Sequence, residues 1–351
     1  MNDIDLVERT VAELLDRHCT PEVIATAEGS WSPALWQRLD ETGLTRIGVD
    51  EQLGGAGGGI GDAATVLRVA AGHAAPVPLA EMLFPVAAGC TAAGLTLPDG
   101  PVTVAYGAGL SLTPDGAGAV LCGVANRVPY ARASRRVLVV TDDPLPALAA
   151  LVDPADCRLA NMDNLAGEPR DDLGADQVRI PRSEIAEVPP GTASHLRRLG
   201  ALARAVQLSG ALDTVLEATV RYAGERVQFG RPIGQFQAVA HQIAELAGLA
   251  AGAGAAAQAA VAAVAADPGS ATLSIAAAKA RTSAAAGPAA RIAHQVHGAI
   301  GFTKEHRLHH LTRRLWAWRE ECGSAEHWAR ELGRAAIAGN GDGLWPMITG
   351  M

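Results

Sequence analysis

The apolar positions in the first part of the chain recur with the spacing of helices. Val7, Leu14 and Leu15 fall on one face of a predicted helix. Ser32, which precedes a proline, is a plausible N-cap for a second helix. The pattern therefore predicts an α-helical domain over residues 1–97.

A glycine-rich stretch, LGGAGGGIGD, interrupts this helical pattern at residues 53–62. It lacks the Lys-Ser/Thr pair that completes a phosphate-binding P-loop, and no buried strand precedes it. We interpret it as a loop between two helices.

The pattern changes at residue 98 to short apolar strands that are separated by turns. The runs VTVAYG, RRVLVVTDD and DQVRIPR are typical of strands, and Asp115-Gly116 is a hairpin signal. These features predict a β-rich middle domain over residues 98–190.

From Thr192 onward the pattern is helical again. Three long alanine-rich helices are predicted over 193–225, 235–266 and 271–299. The third domain is therefore assigned to residues 191–351. The order of helices, strands and helices places the chain in the α+β class.

Composition and charge exclude several classes of protein. The chain has 351 residues, and its 29 basic and 37 acidic side chains give a net charge of −8, which argues against a nucleic-acid-binding surface. Hydrophobic residues make up 49% of the chain, which excludes general disorder. The five cysteines are scattered, odd in number and without a CxxC pair, so neither a disulfide framework nor a thiolate zinc site is predicted.

No targeting or membrane segment is predicted. The N-terminus is acidic and has no apolar core of a signal peptide. Residues 246–266 carry no charge, but they are almost entirely Ala and Gly, and alanine favours membrane insertion far less than Leu, Ile or Phe does. We interpret this stretch as a tightly packed interior helix and expect a cytoplasmic protein that does not contact a membrane.

Histidines cluster between positions 294 and 310, which suggests a metal site as one hypothesis. His306 and His310 are four residues apart and could face one ligand, but no carboxylate completes an HExxH motif. We therefore predict that the chain holds no metal.

Two segments in the second half of the chain resemble the signatures of one family. Residues 221–237 read RYAGERVQFGRPIGQFQ, which resembles the R-x-x-F-G-x-x-I-x-x-x-Q stretch that links two long antiparallel helices in acyl-CoA dehydrogenases. Residues 295–303 read QVHGAIGFT, which is similar to the family's Q-x-x-G-G-x-G-F-T run, and Arg313-Arg314 matches the basic pair after it. By this resemblance the chain is identified as a member of the acyl-CoA dehydrogenase family.

The resemblance implies a fold, a cofactor and a reaction. The fold would be that of the acyl-CoA dehydrogenases, with an N-terminal helical domain, a middle β domain and a C-terminal four-helix bundle. The cofactor would be FAD. The reaction would be α,β-dehydrogenation of an acyl-CoA thioester to the 2-enoyl-CoA, with an electron-transferring flavoprotein as the electron acceptor.

In this family the adenine-diphosphate half of FAD crosses a subunit boundary. The resemblance implies that the matching residues of this chain contact the cofactor at such a boundary. A guanidinium can pair bidentately with the pyrophosphate, which suits Arg226. Phe229 would pack against the cofactor, and Gln237 and Gln295 would hydrogen-bond its oxygens. Gly298 would allow its close approach.

The catalytic base is the point at which the sequence departs from the family pattern. Most members carry a Glu-Gly-Thr triplet about twenty residues after the phenylalanine that Phe302 matches. Counting without gaps places Cys322 at the glutamate and Ser324 at the threonine, which we assign to the cofactor site. A shift of one residue would make Glu321 the base, although each residue turns a helix by about 100°.

A second base position also lacks a carboxylate. Some members place the base on the helix before the R-x-x-F-G motif, and the matching position here is Gly200. The family's adjacent substrate-binding arginine is matched by Ala201, and neither motif that holds the flavin ring in catalytic members is recognisable in the middle domain.

Three hypotheses follow from this pattern of losses. The chain is a catalytic flavoenzyme with Glu321 or Glu320 as its base, or a subunit without a base that contributes Arg226, Phe229 and Gln295 to the FAD of another chain. The third hypothesis is a flavin-using relative with different chemistry, such as an oxidase. Each predicts an oligomer, either with a homologous acyl-CoA dehydrogenase subunit or with itself.

Overall fold

The first part of the chain is helical. The computed structural model of the chain describes residues 3–106, 109–116, 118–142, 145–303 and 305–338. The helices of the first part are α1 (Asp3–His18), α2 (Pro21–Thr26), α3 (Pro33–Glu41), α4 (Ile60–Gly72), α5 (Leu79–Glu81) and α6 (Ala87–Ala93). Residues 82–86 between α5 and α6 form a π-helical turn around Pro85. As expected, the Ser32 hydroxyl caps α3 by accepting a hydrogen bond from the Leu35 amide.

The middle part contains two four-stranded sheets. Its strands are β1 (Val102–Tyr106), β2 (Leu110–Pro114), β3 (Gly118–Pro129), β4 (Arg136–Thr141), β5 (Leu148–Val152), β6 (Arg158–Ala160), β7 (Arg170–Pro181) and β8 (Ile185–Glu187). One sheet has the order β1-β4-β5-β8, with β1 parallel to β4, and the other has the order β2-β3-β7-β6 with antiparallel pairs. The short strands β6 and β8 are absent from the sequence pattern.

The first of these sheets is buried on both faces. Along β4, Leu138 and Val140 pack into the core that the sheet shares with the helices, while Val137 and Val139 pack against the second sheet. Because successive side chains of a strand point to opposite faces, a continuous apolar run such as RRVLVVTDD can serve two cores at once.

The last part of the chain is a helical bundle. It comprises α7 (Thr192–Glu225), α8 (Gln237–Ala266), α9 (Thr272–His297), α10 (Leu308–Trp318) and α11 (Ala325–Ala338). A two-strand hairpin, β9 (Val227–Gln228) and β10 (Arg231–Pro232), joins α7 to α8. The α–β–α organisation predicted from the sequence is confirmed. The predicted domain boundaries at 97/98 and 190/191 fall between elements, and the predicted end at residue 351 lies outside the described residues.

Helix α8 is less enclosed than we expected. Its buried residues form a single stripe: Leu246, Ala250, Ala253, Ala257, Ala260 and Val264. The helix is also long and apolar enough to cross a membrane by length and composition, although it packs lengthwise between α7 and α9. Alanine and glycine allow close packing on that side, and the described residues leave many of the other α8 residues exposed. The described residues therefore enclose residues 246–266 on one side only, which is less than the interpretation as a tightly packed interior helix implies.

Candidate functional site

The two positions that the resemblance marks for a base lie together in space. A Cβ atom built on Gly200 of α7 would lie 2.6 Å from the Tyr106 hydroxyl oxygen and 3.3 Å from the Cys322 sulfur. The phenol of β1 therefore occupies the space that a side chain at position 200 would need, and a larger residue there would require Tyr106 to move. We call the meeting point of Gly200, Tyr106 and Cys322 the corner.

Two cavities meet at the corner. The inner cavity, of 540 Å³, lies between the middle sheets and the helices, and the outer cavity, of 880 Å³, opens beside α11. Tyr106 and Cys322 line both of them. Residues that line the inner cavity include Val104, Ala105, Asn126, Val128, Arg204 and Glu321. Residues that line the outer cavity include Ser194, Arg197, Arg198, His327 and Trp328.

A series of six charged side chains, five of them buried and one partly buried, begins at the inner cavity and joins all three parts of the chain. We call it the ion chain, and its members alternate in sign in the order Glu81, Arg204, Glu321, Arg170, Glu168 and Arg314. The nitrogen–oxygen distances of successive pairs are 2.5, 2.7, 2.9, 3.0 and 3.3 Å. Three carboxylates face three guanidinium groups, so the ion chain carries no net charge.

Glu321 is held from two sides within the ion chain. Arg170 donates to both of its carboxylate oxygens, Arg204 donates to one of them, and the Asn164 amide donates to the other. Burial alone would raise the pKa of Glu321, but the two guanidinium groups outweigh burial and lower this pKa to about 2. A general base needs a pKa near the operating pH and a free oxygen. These surroundings disfavour Glu321 as the base, and that assignment stays an untested prediction.

The loop that carries Cys322 is also fixed through its backbone. The buried ammonium of Lys279 on α9 donates to the carbonyl oxygens of Trp318, Arg319 and Gly323 and to the Ser283 hydroxyl. Burial lowers the pKa of Lys279 to about 8. Lys279 thus satisfies carbonyl groups that the end of α10 leaves without helical partners.

Cys322 itself has little nucleophilic character. Its φ of +55° is an uncommon conformation for a residue with a side chain. Burial raises the pKa of its thiol, with Arg204 acting in the opposite direction, so the thiol is protonated at neutral pH. Neither Cys322 nor Tyr106, whose pKa burial also raises, can replace a carboxylate base.

The residues predicted to bind the cofactor lie on a different surface, which we call the motif surface. Arg226, Phe229, Gln237, Gln295 and Gly298 are all exposed, and none of them lines the inner or the outer cavity. Arg226 follows α7 directly, and no ion pair to it is formed by the described residues. The alternative that Arg226 pairs with Glu225 is therefore not seen in this chain.

Phe229 stands out on the motif surface because an apolar ring is rarely left in water. It is 93% exposed, sits at the tip of the hairpin with a φ of +49°, and touches Phe236 edge-on. Gly298 ends α9 with a φ of +62°, and the space beside it is open. An exposed aromatic ring and a backbone segment that another molecule can approach closely are both typical of a surface that binds a ligand or a partner.

A ring contact brings the two sequence motifs together. Tyr222, in the last turn of α7, stacks on His297 at the end of α9 with 4.6 Å between ring centroids. The hairpin that begins at Arg226 and the segment that begins at Gly298 therefore emerge side by side. The sequence spacing alone could not show this, because 75 residues separate Tyr222 from His297.

Ser324 has a structural role in the described residues. Its hydroxyl accepts a hydrogen bond from the His327 amide at 3.3 Å, in the first turn of α11. This is the N-cap geometry that favours serine before a helix. The assignment of Ser324 to the cofactor site stays a prediction.

Sequence reasoning missed most of the ion chain. Glu81, Glu168, Arg170 and Arg204 are not among the candidate residues of the sequence motifs. A signal was present in the pattern, because charged residues at positions flanked by buried apolar ones are rare unless they are paired. The partners could not be assigned, since they lie up to 151 residues apart.

The histidine cluster is a site of acid sensitivity. Among the described residues no group of three His, Cys, Asp or Glu side chains could hold a metal ion. Burial, with charge from neighbouring side chains, lowers the pKa values of His294, His297, His306 and His310, the last to about 4. These rings are therefore neutral in the folded chain at pH 7.

We expect the stability of the chain to fall as the pH drops from about 6.5 to about 4. Below pH 6.5 His310 binds a proton in the unfolded chain but not in the folded chain, because its folded pKa is about 4. The free energy of unfolding is therefore highest above pH 6.5 and decreases as the pH falls to about 4. The loss from His310 alone is roughly 2–3 kcal/mol at pH 4. Urea unfolding at several pH values measures it, and His310→Leu should flatten the profile. An equally steep profile in that variant would contradict the assignment.

The motif surface has the chemistry to hold the adenine-diphosphate half of FAD. A guanidinium without an ion-pair partner, two exposed amide side chains and an exposed ring match a pyrophosphate flanked by hydroxyl groups and an aromatic base. The inner cavity has room for a ring system, and each of its three carboxylates, those of Glu81, Glu320 and Glu321, pairs with an arginine. The motif surface and the inner cavity are separate places on the described part of the chain.

Comparison with protein families gives two matches along the chain. Residues 195–337 match the family model described as acyl-CoA dehydrogenase, C-terminal domain, and residues 2–92 match the model of the N-terminal domain. The acyl-CoA dehydrogenase IpdE2 of Mycobacterium tuberculosis is 33% identical over 87% of this chain and 88% of its own length. IpdE2 of Mycolicibacterium smegmatis is 30% identical over 87% and 89%.

Solved structures give the same fold. A chain of the ChsE4-ChsE5 complex from Mycobacterium tuberculosis superposes with a TM-score of 0.86 at 25% identity and covers 96% of this chain and 98% of its own. Butyryl-CoA dehydrogenase from Megasphaera elsdenii superposes with a TM-score of 0.83 at 19% identity and covers 96% and 99%. The second likeness concerns the fold alone.

Proposed function

Because the chain belongs to the acyl-CoA dehydrogenase family, we propose that it is a partner subunit of a heteromeric acyl-CoA dehydrogenase and completes the FAD site of a catalytic chain. The observation that carries the proposal is the corner. Both base positions meet there, and they hold Gly200 and Cys322 beside a protonated Tyr106. The carboxylate of Glu321 is occupied by two guanidinium groups.

The motif surface supports the same proposal. Arg226, Phe229 and Gln295 retain the side chains that suit a cofactor, and they point away from the cavities of their own chain. FAD, when bound, supplies the hydride acceptor for the oxidation of an acyl-CoA thioester. In this proposal Arg226 pairs with its pyrophosphate, Gln237 and Gln295 donate to its oxygens, and Phe229 excludes water from the contact.

The similarity to one chain of the ChsE4-ChsE5 complex adds a precedent for two different subunits. The exposed side of α8 offers a surface for such a partner, because it carries exposed alanines, among them Ala244, Ala251 and Ala255. The assembly would take an acyl-CoA thioester as substrate and pass its electrons to an electron-transferring flavoprotein.

A second candidate function is dehydrogenation by the chain itself, within an oligomer. The inner cavity favours it, because 540 Å³ is ample for a flavin ring and the walls from β1 and β3 are largely apolar. A base would then have to come from Glu321 or Glu320. Of the two, Glu320 is the exposed one, and its ion-pair partner is the neighbouring Arg319.

Activity of the chain alone decides between these functions. A positioned general base contributes roughly 10²- to 10⁴-fold to a rate. We therefore expect the chain purified alone to give no measurable dye reduction with acyl-CoA thioesters. Co-expression with a family member that carries the Glu-Gly-Thr triplet should give an active, flavin-containing complex.

Two matched variants sharpen this experiment. Glu321→Gln and Glu320→Gln remove neighbouring carboxylates with little change in shape, and circular dichroism checks that each variant folds. Robust dye reduction by the chain alone that is lost in Glu321→Gln but kept in Glu320→Gln would overturn the proposal and make Glu321 the base.

A further inference from the structure

Helix α10 connects the interior of the chain to the motif surface. The helix follows the segment 298–303 closely, and that segment carries the second sequence motif. The side chains of two consecutive arginines, Arg313 and Arg314, extend from this helix in different directions. Their contacts reach both other parts of the chain.

Arg313 ties α10 to the outside of the other two parts. Its guanidinium donates to Glu28 of the N-terminal helical part at 2.6 Å and to the carbonyl oxygen of Leu165 in the middle part at 2.9 Å. Because each contact crosses from the bundle to another part of the chain, Arg313 fixes where α10 lies relative to both.

Arg314 ties the same helix to the ion chain. Its Nε lies 3.3 Å from a carboxylate oxygen of Glu168, and its Nη1 donates to the His310 carbonyl oxygen at 3.1 Å. The Trp318 indole, one turn further along α10, donates to the other oxygen of Glu168 at 2.9 Å. All of these groups are buried. The end of the ion chain is therefore attached to α10 by the Trp318 hydrogen bond and by the Arg314 ion pair, although the Arg314 Nε makes no hydrogen bond to the described residues.

The other face of α10 holds the motif segment. Thr312 and His294 share a hydrogen bond of 2.9 Å, and the His294 ring stacks on Phe302 at 4.2 Å. Leu308 packs beside Gly301, where an added Cβ would lie 3.2 Å from its side chain. An unbroken series of contacts thus leads from Glu168 through α10 to residues 298–303.

We propose that Arg313, Arg314 and the ion chain are positioning residues, which hold α10 so that segment 298–303 keeps the shape that the neighbouring chain's FAD requires. That FAD requires this shape of segment 298–303 rests on the proposed function, whereas the positioning of α10 by these residues does not. Apolar side chains of the same volume would fill this space equally well. Paired charges differ from them because each charge must face its partner, which fixes one arrangement of the elements that carry them. The basic pair of the sequence motif is in this view an attachment between domains rather than a ligand for the cofactor.

Hydrogen exchange of the full-length chain tests the positioning without any cofactor. Arg314→Met should speed exchange at the amides of 299–303 by about tenfold relative to the amides of α4, which report global unfolding. Arg307→Met is the matched control, because Arg307 is exposed on the same stretch and has no charged partner among the described residues. Arg314→Lys keeps the charge and should lie between wild type and Arg314→Met.

Unchanged exchange at 299–303 in Arg314→Met, or a uniform rise over the whole chain, would overturn the positioning role. A second readout is the affinity of the co-expressed complex for FAD, which should weaken by about tenfold in Arg314→Met and not in Arg307→Met. If exchange changes but the FAD affinity does not, and Arg226→Ala also retains FAD, the proposed function fails while the positioning stands.

Discussion

Arg226→Ala should release FAD from the assembled complex. A charge-assisted bidentate pair with a pyrophosphate contributes about 1.5–3 kcal/mol, which corresponds to roughly 10- to 150-fold in the dissociation constant. Arg226 is exposed and forms no ion pair with described residues, so its loss should leave the fold of its own chain intact. The ratio of flavin absorbance to protein in the purified complex measures the effect.

The control for this experiment is Arg330→Ala, which removes an exposed guanidinium from α11 that belongs to neither motif. Its complex should keep the flavin content of the wild type. Phe229→Ala should fall between the two, because the ring excludes water but carries no charge. A complex of Arg226→Ala with full flavin content and unchanged affinity would contradict the assignment of the motif surface.

The long helices of the third part could be predicted closely from the sequence. The pattern predicted 193–225, 235–266 and 271–299, and α7, α8 and α9 run from Thr192 to Glu225, from Gln237 to Ala266 and from Thr272 to His297. Alanine-rich stretches favour a helix through local propensity, so no knowledge of the tertiary structure was needed. Pro288 inside α9 did not change the result.

Some residues of the candidate site can be identified from local sequence, and others are brought together only by the tertiary structure. Arg226 and Gln295 belong to contiguous motifs, and a motif can be recognised without knowing what surrounds it. The contact of Tyr106 with Gly200 depends on how a strand of one domain meets a helix of another. The exposed side of α8 was also unpredictable, because an apolar helix in the interior and one that awaits a partner have the same composition.

The corner also explains why losing both base positions is compatible with a stable fold. A glutamate at 200 would require the Tyr106 ring to move, and a glutamate at 322 would place a second carboxylate next to Glu321. Two carboxylates so close cannot both ionise without further positive charge. The guanidinium groups of Arg170 and Arg204 are already committed to Glu321. The ion chain and a catalytic carboxylate are thus competing uses of one site.

Removing one member of the ion chain should cost far more than removing an exposed charge. In Glu321→Leu the guanidinium groups of Arg170 and Arg204 stay buried, with 3% and 4% of their side chains exposed, and each loses a carboxylate. Breaking a buried pair in this way typically costs about 3–5 kcal/mol. Urea unfolding at pH 7 should show this loss.

The controls for this measurement separate lost pairing from lost packing. Glu13→Leu, an exposed site on α1, should change the free energy of unfolding by at most about 0.5 kcal/mol. Adding Arg170→Met to Glu321→Leu should recover part of the loss, because the remaining buried charges then form two complete pairs, Glu81 with Arg204 and Glu168 with Arg314. Since the folded pKa of Glu321 is about 2 against an ordinary 4.5, its contribution is complete above pH 4.5 and disappears as the pH falls towards 2. If Glu321→Leu were as mild as Glu13→Leu at pH 7, the buried charges would not be holding the three parts of the chain together.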